Sequence, residues 1–175
     1  MTETLPEEPT PVDPMIARIE DIGKLADTIL KEIKDIYAQY KVALPPRQYV
    51  SVGGPNSTAH DDEQVTVTLT SVSPGIAGGP ASPYSYLNDV LHANFHIEIV
   101  RAIPVPNERM LTPAPPTPEA ITLSSKALMK DAILLIEAGK RVGEETYSET
   151  AMLETVSGQP QGGMQAMTMS LTLVV

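Results

Sequence analysis

Apolar and polar residues alternate most regularly in two stretches of the chain, residues 64–72 and residues 94–103. The first places valine and leucine between threonines, and the second places phenylalanine and isoleucine between polar residues. A two-residue period is typical of a strand with one buried face and one exposed face. We therefore predict two core strands, Gln64–Val72 and Val90–Ile103, with the polar side chains of both directed toward solvent.

Two other stretches have the three-to-four-residue period of an amphipathic helix. Asp13-Pro14 opens the first, since Asp is a favourable N-cap and Pro a favourable first helical residue. Its stripe predicts a helix of about 26 residues that ends before Pro45-Pro46 and packs on a sheet. The stripe consists of Ile16, Ile19, Ile22, Ala26, Ile29, Ile33, Ile36 and Tyr40. The second helix begins at Thr117-Pro118 and ends at Gly139 or Gly143. Its predicted apolar face consists of Ile121, Leu128, Ala132, Leu135 and Ile136.

Three further strands complete the predicted fold. A short strand covers Gln48–Val52, and a closing hairpin pairs Thr146–Val156 with Met164–Val175 around the turn Ser157–Gly163. The order of elements predicts an α+β fold, with a mostly antiparallel sheet and two main helices on one of its faces. Residues 1–13 are predicted to be an extended acidic tail, and residues 14–175 a single α+β domain.

Two Pro/Gly-rich segments, at about residues 73–89 and 104–117, leave the ends of the core strands. The first carries Tyr84 and Tyr86, and the second has the proline content of an extended connector and carries Arg109. Tyrosine on a long loop is common in protein contacts. We expect these segments to be arms that contact another chain; a loop that only connects two strands is the alternative.

The composition of the chain argues against several classes of function. The net charge is −10, from 12 basic and 22 acidic residues, whereas a DNA-binding module needs excess Lys and Arg. The chain has no Cys, which excludes a disulfide or thiolate metal site. We expect neither a signal peptide nor a membrane span, because no apolar run has the required length.

Candidate chemistry is limited to two groups of His and acidic residues. The first is His60-Asp61-Asp62-Glu63, and the second is His92, His96 and Glu98. A small metal-dependent enzyme using either group is one possible interpretation, but a solvated loop and a polar sheet face explain them more simply. The motifs of common nucleophilic, nucleotide-binding and zinc enzymes do not occur. We therefore expect no catalytic residue, no cofactor and no metal.

Three segments together resemble the tail terminator or neck protein family of tailed phages that infect actinobacteria. The first is Ser71–Pro74 (SVSP) at the end of a strand before a proline-rich loop. The second is Glu98–Pro104 (EIVRAIP), followed by the proline connector and a helix that starts at Pro-Thr. The third is Gln159–Gly163 (QPQGG) before an alternating last strand. The chain departs from the family pattern at Ala102, where the family has Cys, and in lacking Trp.

The resemblance implies a non-enzymatic virion protein that forms a ring, expected to be hexameric, at the head-proximal end of the tail tube. The implied partners are further copies of itself, the tail tube protein and a head-side connector or stopper protein. DNA would pass through the lumen without specific binding, and assembly would take place in the host cytoplasm. A head–tail stopper, an adaptor or a tail tube subunit are the alternatives. Candidate contact residues are Tyr84, Tyr86, Arg109, Pro160, Gln161, Gly162 and Gly163.

Overall fold

The computed structural model describes residues 14–53, 62–74, 91–106, 114–146, 153–158, 160 and 163–175. Its elements are, in order, α1 (Pro14–Gln39), β1 (Arg47–Val52), β2 (Gln64–Pro74), β3 (Leu91–Ala102), α2 (Pro118–Thr146), β4 (Leu153–Ser157) and β5 (Met164–Val174). The strands form one sheet in the order β1-β2-β3-β5-β4. β1 runs parallel to β2, and every other neighbouring pair is antiparallel. The predicted α+β class with a mostly antiparallel sheet is confirmed.

The apolar face of the sheet is the face that the alternation predicted. Val67, Ile97 and Met169 are paired across β2, β3 and β5, and each is at most 1% exposed. Both helices cover this face and join one hydrophobic core with it. Their contributions include Ile29, Ile33 and Ile36 from α1 and Leu135, Ala138 and Val142 from α2. This arrangement confirms the prediction of two helices on one face of the sheet.

The polar face is exposed at Thr70, as predicted, but its middle is buried. Thr66, Thr68 and Glu98 are buried, with 1%, 1% and 3% of their surface accessible. Thr66 and Glu98 are cross-strand partners, and the hydroxyl oxygens of Thr68 and Ser51 lie 2.7 Å apart. For the middle of the face the prediction was wrong because a two-residue period shows which side chains share a face, but does not show whether that face is covered.

Helix α1 has the predicted 26 residues, and its end is a compact cap. The N–H of Val42 donates to the carbonyl of Tyr37 at 2.9 Å, and the N–H of Lys41 donates to that of Ala38 at 3.1 Å. Lys41 has φ 54° and takes the left-handed position that glycine usually fills in this motif. The cap ends the helix before Pro45-Pro46 are reached.

The stripe of α1 is only partly buried. From Ala26 to Tyr37 it lies in the core, whereas Ile16 and Ile19 are 52% and 65% exposed. Tyr40, beyond the other end of the helix, is also exposed. A helix of 26 residues is about 39 Å long. Its first two turns therefore carry apolar side chains that the described part of the chain does not cover.

Helix α2 continues past both glycines that were predicted to end it. Gly139 and Gly143 are buried inside the helix, which ends at Thr146. Glycine in a helix costs about 1 kcal/mol relative to alanine, and packing of a buried helix face outweighs that cost. Thr146, predicted as the first residue of a strand, is instead the last residue of α2, and the described strand β4 covers Leu153–Ser157. Residues 147–152 lie outside the described residues. No helix of the described residues is long and apolar enough to cross a membrane.

Candidate interaction surfaces

The structure describes two of the seven predicted contact residues. Pro160 is exposed, and Gly163 is partly buried at the start of β5. The other predicted contact residues lie outside the described residues; they are Tyr84, Tyr86, Arg109, Gln161 and Gly162. Most residues of the two predicted arms also lie outside them, except that β2 extends to Pro74 and residues 104–106 and 114–117 are described.

Gly163 joins the end of the hairpin to the start of the proline-rich segment. Its carbonyl accepts a hydrogen bond from the N–H of Ile103 at 2.8 Å. Its φ is 78°, a left-handed conformation that favours glycine. A β-carbon added there would lie 3.2 Å from Cγ1 of Val105. Two of the three segments that carry the family resemblance, around residues 98–104 and 159–163, therefore meet in space.

The candidate metal ligands do not form a site in the described part of the chain. His92 and Glu98 are buried in β3 and His96 is partly buried. Among the described residues, no group of three or more His and acidic side chains could hold a metal ion. Of the loop candidates, Asp62 is exposed, and Oε1 of Glu63 accepts a hydrogen bond from the N–H of Ala102 at 3.0 Å. His60 and Asp61 lie outside the described residues.

Both edges of the sheet are short strands with exposed apolar side chains. Val50 and Val52 on β1 are 37% and 80% exposed, and Val156 on β4 is 52% exposed. Within the described ranges, neither β1 nor β4 pairs with a further strand on its outer side. Unpaired N–H and C=O groups along such an edge are a template for pairing with another chain.

A buried polar cluster that the sequence did not reveal joins α1, β3 and α2. Asp131 is 0% exposed and accepts three hydrogen bonds. Nε and Nη2 of Arg101 donate at 2.6 and 2.9 Å, and the Tyr37 hydroxyl donates at 2.8 Å. Nη2 of Arg101 also donates to the Ala43 carbonyl at 3.0 Å. The cluster thus connects the middle of α2 to the end of β3 and to both sides of the α1 cap.

The electrostatics of this cluster favour a protonated hydroxyl on Tyr37 and a charged guanidinium on Arg101. Burial, together with the Asp131 carboxylate, raises the pKa of Tyr37 well above its usual value. The hydrogen bond to Asp131 raises the pKa of Arg101 further. A fully buried carboxylate that is held by three donors is suited to positioning structural elements, not to acting on a substrate. The available sequence signal was Asp131 itself, an acid three residues after Leu128 on a buried helix stripe.

A groove lies between α2 and the chain that follows α1, and we call it the α2 groove. It consists of two adjoining depressions of about 460 and 320 Å³ that share Val42 and Lys130. Its exposed apolar residues are Leu123, Met129 and Ile133, which are 73%, 64% and 68% exposed. Lys126 and Lys130 border these residues and form no ion pair with any described residue. The groove is therefore apolar along its length and cationic in its middle.

In the part of the chain that the structure describes, this α+β protein has two sheet edges without an outer partner and an apolar groove bordered by two lysines. No family model matches the chain, and no curated protein matches it either.

Proposed function

We propose that this protein is a tail terminator, a structural virion protein that forms a ring on the head-proximal end of a phage tail tube. The observation that carries the proposal is that β1 and β4, the two edges of the sheet, have no outer partner among the described residues. The three motifs in residues 71–74, 98–104 and 159–163, which resemble those of phage tail terminators, support the same assignment.

The open edges favour assembly of a ring. β1 and β4 are the two opposite edges of one sheet. Pairing of β4 in one copy with β1 in the next copy therefore joins two different surfaces. A contact between different surfaces is heterologous, and it forms a ring when the rotation between neighbouring copies closes and an open filament when it does not. Exposed Val50, Val52 and Val156 would become buried in such a contact. Strand addition supplies main-chain hydrogen bonds without requiring a catalytic group.

The charge of the chain suits a ring through which DNA passes. With a net charge of −10, the protein repels phosphate and has little capacity for non-specific binding to nucleic acid. In this proposal one face of the ring contacts the tail tube protein and the other contacts the head connector or stopper. Assembly takes place in the host cytoplasm, and the finished ring belongs to the virion.

The experiment is complementation of a phage that lacks this gene, with tail length and head joining scored by electron microscopy. We expect the deletion to give over-long tubes or tails without heads, and the unchanged gene to restore normal virions. Val156→Lys introduces a charge on an edge strand and should fail to restore them. The control is Ser170→Lys on β5, an exposed position that is paired with β3 on one side and with β4 on the other. Tails of normal length that join heads without the protein would refute the proposal.

A tail tube subunit could use the same open edges, and copy number separates the two functions. A terminator is present as a single ring in each tail, whereas a tube subunit increases with tail length. Quantitative mass spectrometry of purified virions measures this ratio directly. A copy number that scales with tube length would assign the protein to the tube.

A further inference from the structure

The start of α1 lies in an acidic stretch of the sequence and exposes apolar side chains that no described residue covers. Ile16 and Ile19 are 52% and 65% exposed. Residues 1–21 contain six acidic residues and one basic residue, Arg18. An exposed apolar patch with charge of one sign around it marks a contact surface.

The α2 groove has complementary properties. Leu123, Met129 and Ile133 expose apolar surface, and Lys126 and Lys130 supply two cations without partners among the described residues. The remaining charges at the groove are neutralised or lie toward its ends. Arg101 is paired with Asp131, Glu137 is paired with Arg141 at 3.6 Å, and Glu119 lies one helical turn before Leu123.

Ile16 and Ile19 cannot reach the α2 groove of their own copy. Ile19 is separated from Gln39 by a continuous helix, and 20 residues of helix span about 30 Å. The groove begins beyond that end of the helix, where Tyr40 and Val42 line it. A rigid helix cannot fold back on itself, so the start of α1 can reach only the groove of another copy.

We propose that residues 1–19 of one copy dock into the α2 groove of the next copy. Ile16 and Ile19 would cover Leu123, Met129 and Ile133, and the acidic segment before them would face Lys126 and Lys130. The contact joins two different surfaces at opposite ends of α1, so it is directional and repeats from copy to copy. This inference rests on the proposed ring, and it names a contact between its subunits beyond the strand edges.

Charge exchange in the full-length chain tests the contact. One variant carries Lys126→Glu and Lys130→Glu in the groove, and the other carries Glu7→Lys and Glu8→Lys in the acidic segment. Each alone should weaken self-association about tenfold or more, measured by sedimentation velocity at low salt, because two attractive pairs become repulsive. A 1:1 mixture should restore association, since each groove then meets a segment of opposite charge. Raising the NaCl concentration should weaken self-association of the unchanged protein and association in the mixture alike.

The matched control reverses two other exposed lysines, Lys34 and Lys140. They change the net charge by the same amount but lie outside the groove. Association of this control within about twofold of the unchanged protein is expected. Loss of association in the control, or no recovery in the mixture, would overturn the proposal.

A second measurement detects the contact even if the free protein is monomeric. A synthetic peptide of residues 1–19 is added to full-length protein with isotope-labelled methionine methyl groups. We expect the Met129 methyl resonance to shift with added peptide, and the shift to disappear in the groove variant. A Met129 resonance that stays unchanged at 1 mM peptide in a monomeric protein would refute the proposal. So would a concentration-independent effect of the segment variant on Met129, because it would show contact within one copy.

The two proposals can fail separately. If the tail-capping experiment succeeds and the groove variants associate and complement normally, the terminator function stands and this contact is wrong. If the charge exchange restores association but phages lacking the gene have normal tails, the contact stands and the terminator function is wrong.

Discussion

Removing the carboxylate of Asp131 should be among the most destabilising changes in this protein. Asp131→Ala leaves Arg101, whose side chain is 13% exposed, without its buried counter-ion. It also leaves the hydroxyl of Tyr37, a residue 1% exposed, without its acceptor. Breaking a buried ion pair by removing one partner costs about 3–5 kcal/mol. Against a total stability of about 5–15 kcal/mol, that is a large part of the free energy of unfolding.

The structure favours a cost of Asp131→Ala near the lower end of the range of about 3–5 kcal/mol for a broken buried ion pair. Arg101 retains its hydrogen bond to the Ala43 carbonyl, and Ala43 is exposed, so the guanidinium can recover some hydration. We expect a loss of about 3 kcal/mol. With a urea m value of about 2 kcal/mol per molar, the unfolding midpoint would fall by about 1.5 M.

A triple variant separates the cost of the unpaired charge from the value of the cluster. In Tyr37→Phe, Arg101→Met, Asp131→Leu, no buried charge is left without a partner. Apolar replacement of a complete buried ion cluster is often neutral or stabilising. We therefore expect the triple variant to be more stable than Asp131→Ala alone, although it carries two further substitutions.

The assay is urea unfolding followed by far-UV circular dichroism, at protein concentrations where the midpoint is independent of concentration. The control is Asp35→Ala, which removes an exposed carboxylate that lies 3.7 Å from Lys31. It should cost less than about 1 kcal/mol. A cost below about 1 kcal/mol for Asp131→Ala, or a triple variant less stable than the single one, would refute the reasoning.

Three further predictions concern pH and backbone conformation. The pKa of Tyr37 is raised in the folded state, so its contribution to stability is fully present below the usual tyrosine pKa of about 10. Above that pH the free energy of unfolding should fall by up to about 1.4 kcal/mol per pH unit. Urea unfolding at pH 9 and 11 should therefore show a smaller alkaline loss in Tyr37→Phe than in the unchanged protein. Gly163→Val should cost about 2 kcal/mol in the same assay, because φ is 78° and Val105 is close. Gly158→Ala, whose added β-carbon meets Ala166 at 3.5 Å, should cost less than half as much. Equal costs for the two variants would contradict this prediction. Lys41→Gly should raise the free energy of unfolding by about 0.5–1 kcal/mol by relieving a left-handed lysine, and a loss of stability would contradict the assigned cap.

Much of the fold followed from residue pattern. Alternation in residues 64–72 and 94–103 predicted two core strands, and the stripe from Ala26 to Ile36 predicted the buried part of α1. These predictions succeed because side chains return to the same face of a strand or helix at a fixed interval. When one face is buried, apolar residues therefore recur in the sequence at that interval.

The boundaries of α2 and β4 did not follow from pattern. Glycine favours the position just after a helix, which predicts an end at Gly139 or Gly143, yet both glycines are buried inside α2. Whether a glycine ends a helix or lets it pack closely depends on what lies against it, which a local reading of the sequence does not contain.

For the candidate contact surfaces, too, some features follow from the sequence and others only from the structure. The acidic segment and the motifs that resemble those of phage tail terminators follow from the sequence alone, which also predicts contact arms around Tyr84 and Arg109. Only the tertiary structure decided that β1 and β4 are the edges of the sheet and that Gly163 lies against Val105. It also decided that Ile19 and Leu123 are exposed although both belong to amphipathic helices. The physical reason is that periodicity records which side chains share a face, whereas exposure depends on where each helix or strand extends beyond its neighbours.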